Sequence, residues 1–356
     1  MRRIVIFIAI LASLNSNLLL SKILHISFHK GCIRELEFVA QELSWNLTSM
    51  YVHDLPQGEF DGKTKGSGIY NIGHERALNI WNKHKAYFNQ FDTIITSDTA
   101  PLARIFLQNN YSGRLIIWVC NRFDYCDQAS LDCKFPDSEY YSLINLAKNS
   151  PHTTIISYND FEPVYAKTKA VDLGSTLIKP CGFNWGNPSS ISPNIDKKGT
   201  FFVPPYHSNA SFKTVEKCLA HQISALSGYY NGPTAIKEFK GIIHIPCAWS
   251  NFAMFENLAN GLIHFIPSQQ YMLKLLSEGA HFPDGNFTKK HLNLSEWYHP
   301  ELKEVLIYFE SITDLKHKIN TLDFDKQKQR CLAFAQNHKA SMLNRWEKII
   351  IPGEKI

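Results

Sequence analysis

The segment FKGIIHIPCAWSNFAMFENLANGLIHFIPS, residues 239–268, holds the residue types best suited to chemistry. An apolar run ends at Pro246, and a loop of Cys247, Ala248 and Trp249 leads to Ser250, placed as the N-cap of a helix. That helix is expected to run to about Asn260, with Gly261 at its C′ position. Glu256 lies mid-helix, and its wheel neighbours Phe252, Ala253 and Ala259 are all apolar. A carboxylate on such a face is costly to bury without a partner. Its two oxygens suit the paired hydroxyls of a ribose, and free amides over Ser250, Asn251 and Phe252 suit a diphosphate. The plain alternative is a solvent-facing glutamate on an amphipathic helix.

Four further sets of residues carry candidate groups. His29, Lys30 and Gly31 occupy the first strand-to-helix turn, where the cations could meet phosphate and the glycine lets the backbone approach a ligand. A simple tight turn is the alternative. NRFDY, residues 121–125, sets Arg122 and Asp124 just after a buried strand, the kind of strand end that opens into a cleft. A surface ion pair is the alternative there. Lys213 is a candidate phosphate ligand or a solvated helix-start lysine. Trp249, Trp297 and Tyr298 could stack on sugar faces or pack in a core. The histidines show no metal-ligating spacing, so no metal site is expected, and no nucleophile-elbow or P-loop pattern occurs.

These groups sit on alternating strand and helix signals. KILHISF, LTSMYV, FDTIITSD, RLIIWVC and TTIISYN read as strands. IRELEFVAQEL, TAPLARIFLQNN, SEYYSLINLAKNS and EPVYAKTKA read as the helices between them. After the Gly-, Pro- and Ser-rich stretch FNWGNPSSISPNIDKKG, the alternation restarts with GTFFVPP, FKTVEKCLAHQIS, GIIHIPC, SNFAMFENLAN and LIHFIPS. It ends in EVLIYFES, DLKHKINTL and a long terminal helix. The fold class is therefore α/β, with two doubly wound sheets binding ligands at their C-terminal strand ends. The expected divisions are 1–21, a leader; 22–181, the first domain; 182–200, a linker; 201–340, the second domain; and 341–356, a terminal helix.

The chain of 356 residues leads to about two domains. With 44% hydrophobic and 19% charged residues it is no disordered chain, coiled coil or collagen-like repeat. A net charge of +5 permits an anionic substrate without suggesting a nucleic-acid partner. Two arginines, an apolar run from Ile4 and small polar residues beyond it form a secretory-signal layout. Membrane anchoring through residues 4–20, or a first strand, are the alternatives. Sequons at Asn46, Asn110, Asn209, Asn286 and Asn293 lean toward the secretory pathway or a secreted protein. Three of the eight cysteines cluster in VCNRFDYCDQASLDC, where a local disulfide or scattered buried thiols are the two readings.

AWSNFAMFENLANG resembles a segment of the large retaining, nucleotide-sugar-dependent group of GT-B glycosyltransferases. Glu256 falls on the family's ribose-holding glutamate, and Ser250–Ala253 fall on its diphosphate turn. The family's first glutamate would fall near Ala248, so it is absent here. HKGCIRELEFVAQEL resembles the family's first loop and helix, and IKPCGFNWG its hinge. Where the family binds phosphate through an Arg and a Lys, this chain has His207 and Lys213, and only the lysine carries over. The terminal helix with Trp346 resembles the segment that returns to the first domain. The resemblance implies two Rossmann-like domains facing across a cleft, closing about residues 182–200. It also implies metal-independent glycosyl transfer from a nucleotide sugar, a co-substrate rather than a bound cofactor, to a glycan, lipid or protein acceptor. Glu256, Ser250, Asn251, Phe252, Lys213 and Gly31 would hold the donor, and Asp124, Arg122 and His29 would act in the cleft. A non-catalytic secreted sugar-binding protein, or a periplasmic-type two-lobed binding protein, are the competing readings.

Overall fold

The computed structural model describes residues 21–54, 72–124, 136–186, 196–205, 210–280, 282 and 285–351. The chain divides into two compact units, Met1–Lys179 with Met342–Ile356, and Pro180–Ser341.

The first unit holds strands β1 (Ile23–Ser27), β2 (Leu47–Tyr51), β3 (Thr93–Asp98), β4 (Arg114–Val119) and β5 (Thr153–Ser157). They pair in the order β2-β1-β3-β4-β5, all parallel. Every residue of β1 and β3 is buried, as a parallel sheet covered on both faces requires. Its principal helices are α1 (Lys30–Leu43), α2 (His74–Phe88), α3 (Ser138–Lys148) and α4 (Phe161–Lys167). The expected helix TAPLARIFLQNN is broken: Ala100–Ala103 forms a 3-10 turn and Arg104–Leu107 a single α-turn. Pro101 in that first turn has no amide to donate, which suits a helix start. Leu24, Ile26, Ile94, Ile117 and Phe106 centre the core.

The second unit repeats the order. Strands β6 (Phe201–Val203), β7 (Ala225–Ser227), β8 (Gly241–Ile243), β9 (His264–Pro267) and β10 (Ile307–Phe309) pair as β7-β6-β8-β9-β10, again all parallel. Its principal helices are α5 (Ala210–Ala220), α6 (Phe252–Ala259), α7 (Gln269–Ser277) and α8 (Ile312–Thr321). The 27-residue α9 (Phe324–Ile350) belongs to the second unit as far as Ser341 and to the first from Met342. Within the first unit Trp346 is fully buried and sets its ring edge-to-face against Trp45 and Trp118.

Much of the stretch expected as a linker belongs to the second unit or lies outside the described residues. Residues 187–195 are outside. Residues 182–186 pack within the unit: Thr234 donates its amide to the Trp185 carbonyl at 3.1 Å and its hydroxyl to Asn184 Oδ1 at 2.7 Å. Gly182, at φ 73°, runs so close to α6 that a Cβ would lie 2.6 Å from the Phe255 carbonyl oxygen. No described helix is long and apolar enough to cross a membrane. The leader, residues 1–20, lies outside the described residues.

Candidate functional site

In a parallel sheet of order 2-1-3-4-5 the connections leave β1 and β3 in opposite directions, so a crevice opens outside their C-terminal ends. Each unit therefore has one such switch point, between β1 and β3 in the first and between β6 and β8 in the second.

At the second switch point, β8 leads through residues 244–251 into α6. Asn251, not Ser250, is the N-cap: its Oδ1 accepts the Ala253 amide at 2.8 Å from an extended backbone. Ser250 stands one residue before it. Its hydroxyl oxygen is buried with no hydrogen-bond partner among the described residues. Phe252 is the first helical residue and half-buried. Glu256, one turn on, is 5% exposed. The loop is fixed from outside: Trp249's carbonyl accepts the Glu296 amide at 2.7 Å and the Ser295 hydroxyl at 3.2 Å, and Ala248's accepts Trp297 Nε1 at 3.2 Å. Below it His244 stacks on Trp297, centroids 4.1 Å apart. Burial, then the neighbouring His264, hold His244 well below the usual histidine range, and burial takes His264 down to about 3. Both are therefore neutral framework. Trp249 and Trp297 are core residues rather than sugar platforms, and Tyr298 is half-buried and donates its hydroxyl to the Pro267 carbonyl at 3.0 Å. Lys213 is exposed in the first turn of α5, the helix that follows β6, while His207 lies outside the described residues.

The first switch point is richer in titratable groups. His29 follows β1 as the N-cap of α1, and its Nδ1 accepts the Gly31 amide at 3.1 Å. Gly31 is thus the second helical residue with its N–H engaged, not part of an open turn. The Cys32 thiol lies 3.9 Å from the same His29 nitrogen. β3 ends in Asp98, a buried aspartate at φ 74°, in the left-handed region that costs most residues about 1 kcal/mol or more. Its carbonyl accepts the amides of Cys120 at 3.2 Å and Asn121 at 2.9 Å, tying it to the end of β4. Burial, with the charge of Cys32 added and that of His29 opposing, pushes the Asp98 carboxyl up to about 7. Burial alone would raise the Cys32 thiol. Hydrogen bonds with Cys120, His29 and Ser97, together with the charge on His29, bring it down to about 5.

Arg122 and Asp124 do not pair with each other. Arg122 binds Glu162 on α4 at 2.5 Å and lies over the Phe161 ring, 4.2 Å from its centroid. Burial outweighs Arg122 and pushes Glu162 up to about 7. Asp124 accepts the Tyr141 hydroxyl at 2.8 Å and that of Tyr165 at 3.5 Å. Burial raises its carboxyl against those bonds.

No family model matches the chain, and no curated protein matches it. Solved structures share only distant likeness. A pneumococcal O-GlcNAc transferase, GtfA, solved with UDP and GlcNAc, has 9% identity and a TM-score of 0.40, over 72% of this chain and 56% of its own. The chain thus spans little more than half the length of that protein. A Listeria monocytogenes protein assigned as a UDP-N-acetylglucosamine 2-epimerase has 12% identity and a TM-score of 0.44, over 94% and 98%. An ABC transporter substrate-binding protein from Sphaerobacter thermophilus has 9% identity and a TM-score of 0.23, over 91% and 85%. These likenesses are too distant to assign the chain a family.

The structure thus brings Ser250, Asn251, Phe252 and Glu256 together on one loop and helix, and His29 with Gly31 on another. The residues sequence reasoning missed are Cys32, Asp98 and Cys120. Asp98 closes the strand FDTIITSD in plain view, but nothing in its neighbours announces a left-handed backbone. Among the described residues Cys32, Cys120, Cys181, Cys218, Cys247 and Cys331 are not joined in disulfides, while Cys126 and Cys133 lie outside them. No group of three or more His, Cys, Asp or Glu suited to a metal occurs among the described residues.

Proposed function

We propose that the chain is a glycosyltransferase of GT-B type, passing a sugar from a nucleotide-sugar donor to an acceptor hydroxyl without a metal. The observation that carries this is Glu256, a carboxylate buried in the second turn of α6 at the β6/β8 switch point, on the helix that the buried Ser250 hydroxyl precedes. A carboxylate there offers two acceptors to a ribose, and a hydroxyl at a helix N-terminus offers a donor to phosphate. The α6 dipole and Lys213 supply the positive character that a departing nucleoside diphosphate needs. His29 and Asp124 are the acceptor-side candidates, and Arg122, held by Glu162, positions the turn that carries Asp124. The acceptor is a glycan, lipid or protein and the setting the secretory pathway, which the leader-like N-terminus and the sequons support.

Titration of the purified full chain with a panel of nucleotide sugars, alongside Glu256→Gln, tests the assignment. Losing hydrogen bonds to a charged group costs about 1.5–3 kcal/mol, so Glu256→Gln is expected to weaken binding about 10- to 100-fold. If no nucleoside diphosphate binds the wild type, the reading fails. Binding without turnover, in any acceptor mixture, favours a sugar-binding protein instead. The alanine at position 248, where the resembled family carries its sugar-contacting glutamate, is the feature that keeps that second reading open.

A further inference from the structure

We propose that Asp98, at the end of β3 in the first unit, is the general base that takes the proton of the attacking hydroxyl, so that transfer inverts the anomeric configuration of the sugar. This rests on the donor reading of the second unit and adds to it a base and a stereochemical outcome.

Asp98 is the last residue of β3, the central strand of its sheet. On one side Ser97 stands in register with Ser27 of β1, across the switch point, and on the other Asp98 stands in register with Val119 of β4. Ligands of a doubly wound sheet bind at this end of the strands. The backbone fixes the residue there at φ 74°, with its carbonyl accepting the Cys120 amide at 3.2 Å and the Asn121 amide at 2.9 Å. A non-glycine residue stays in that region only where its surroundings dictate it, and such positions gather at functional sites. Asp98 is 9% exposed, and its carboxylate accepts no hydrogen bond from any described residue. Leaving a buried acceptor without a donor is costly, and a ligand hydroxyl supplies the missing one. Two other buried carboxylates of the unit are engaged. Asp124 accepts the hydroxyls of Tyr141 and Tyr165, and Glu162 binds Arg122 and accepts the Phe123 amide at 3.3 Å. Burial pushes the Asp98 carboxyl up to about 7, which suits a group that takes a proton near neutrality and gives it up again.

In the step itself the acceptor hydroxyl donates a hydrogen bond to the Asp98 carboxylate. Its oxygen attacks the anomeric carbon from the side opposite the diphosphate. The new C–O bond forms as the bond from the anomeric carbon to the phosphate oxygen breaks, and the nucleoside diphosphate leaves with the electron pair. The hydroxyl proton passes to Asp98, which returns it to solvent. One displacement assisted by a base inverts the anomeric centre, whereas the group that AWSNFAMFENLANG resembles retains it. With water in place of the acceptor, the same step hydrolyses the donor.

The purified full chain, given UDP-glucose, UDP-N-acetylglucosamine or GDP-mannose with water as acceptor, tests this by NMR of the first sugar released. All of these donors are α-linked, so the β-anomer is the expected product, and the α-anomer overturns the proposal. Asp98→Asn should lower turnover about 100- to 10,000-fold and leave nucleotide affinity unchanged. Undiminished turnover in the variant, or loss of nucleotide binding in step with turnover, also overturns it. Binding of a donor by the wild type with no release of nucleoside diphosphate overturns the base and leaves the donor site standing. Binding of none of them removes the donor reading and the base together. The wild-type anomer decides the matter even if the variant fails to fold.

Discussion

The two units share one strand order but line their switch points with opposite chemistry. Outside β1, β3 and β4 stand an imidazole, a carboxyl pushed up to about 7 and a thiol brought down to about 5, on a backbone held left-handed at Asp98. Outside β8 the neutral His244 stacks on Trp297, while α6 and the residue before its cap carry a buried carboxylate and one orphan hydroxyl. Topology places a crevice in both, and the side chains decide its use. The first gathers titratable groups, whereas the second gathers neutral rings.

The largest test of this contrast removes Arg122. If Arg122 is structural framework, Arg122→Ala strands Glu162, 1% exposed by side chain, without its partner. Removing one member of a buried pair costs about 3–5 kcal/mol. Burial already pushes Glu162 up to about 7, so the cost should be greatest above pH 7 and shrink near pH 5, where the carboxyl is neutral anyway. Urea unfolding at the two pH values measures this. A nearly unchanged midpoint with lost ligand binding would move Arg122 to the binding side of the comparison.

A comparable effect, of opposite chemistry, belongs to Asp98. Its carboxyl titrates at about 7 in the folded chain against 3.8 ordinarily, so between those values the folded state keeps a proton that the unfolded state releases. The contribution of this group to stability is therefore full below pH 3.8 and is lost as pH rises toward 7. At ~1.4 kcal/mol per pKa unit, the loss between 3.8 and about 7 is on the order of 4 kcal/mol. Asp98→Asn keeps a side chain that tolerates the left-handed backbone and removes the charge. Its stability relative to wild type should climb across that window. A difference that stays flat with pH would make the first switch point as inert as the histidine floor of the second.

The two-sheet architecture was legible because buried parallel strands are uninterrupted apolar runs, as in LIIWV and FFV. β7 was not, since ALS is three residues long and takes its place from pairing with β6. The cap of α6 slipped by one residue because serine and asparagine cap equally well, and only the backbone at Asn251 decides between them. Arg122 and Asp124, two apart, invited an ion pair, yet each found its partners on other helices. The Cys32–Asp98–Cys120 cluster is a product of three strand ends meeting, and no local pattern carries it.

The smallest effect, and the sharpest, is at Ser250. Its hydroxyl has no partner among the described residues, so Ser250→Ala removes an unpaired polar atom and should leave stability within about 0.5 kcal/mol of wild type. Losing one hydrogen bond to phosphate, worth ~1 kcal/mol, should still weaken nucleotide binding about 5-fold. Asn251→Ala does the reverse at the next residue. Its side chain caps the Ala253 amide, so the variant should lose about 1 kcal/mol of stability. Paired denaturation and nucleotide titrations separate the two roles. Equal losses of binding in both variants, or none in Ser250→Ala, would mean the orphan hydroxyl faces no ligand and the second switch point is scaffold.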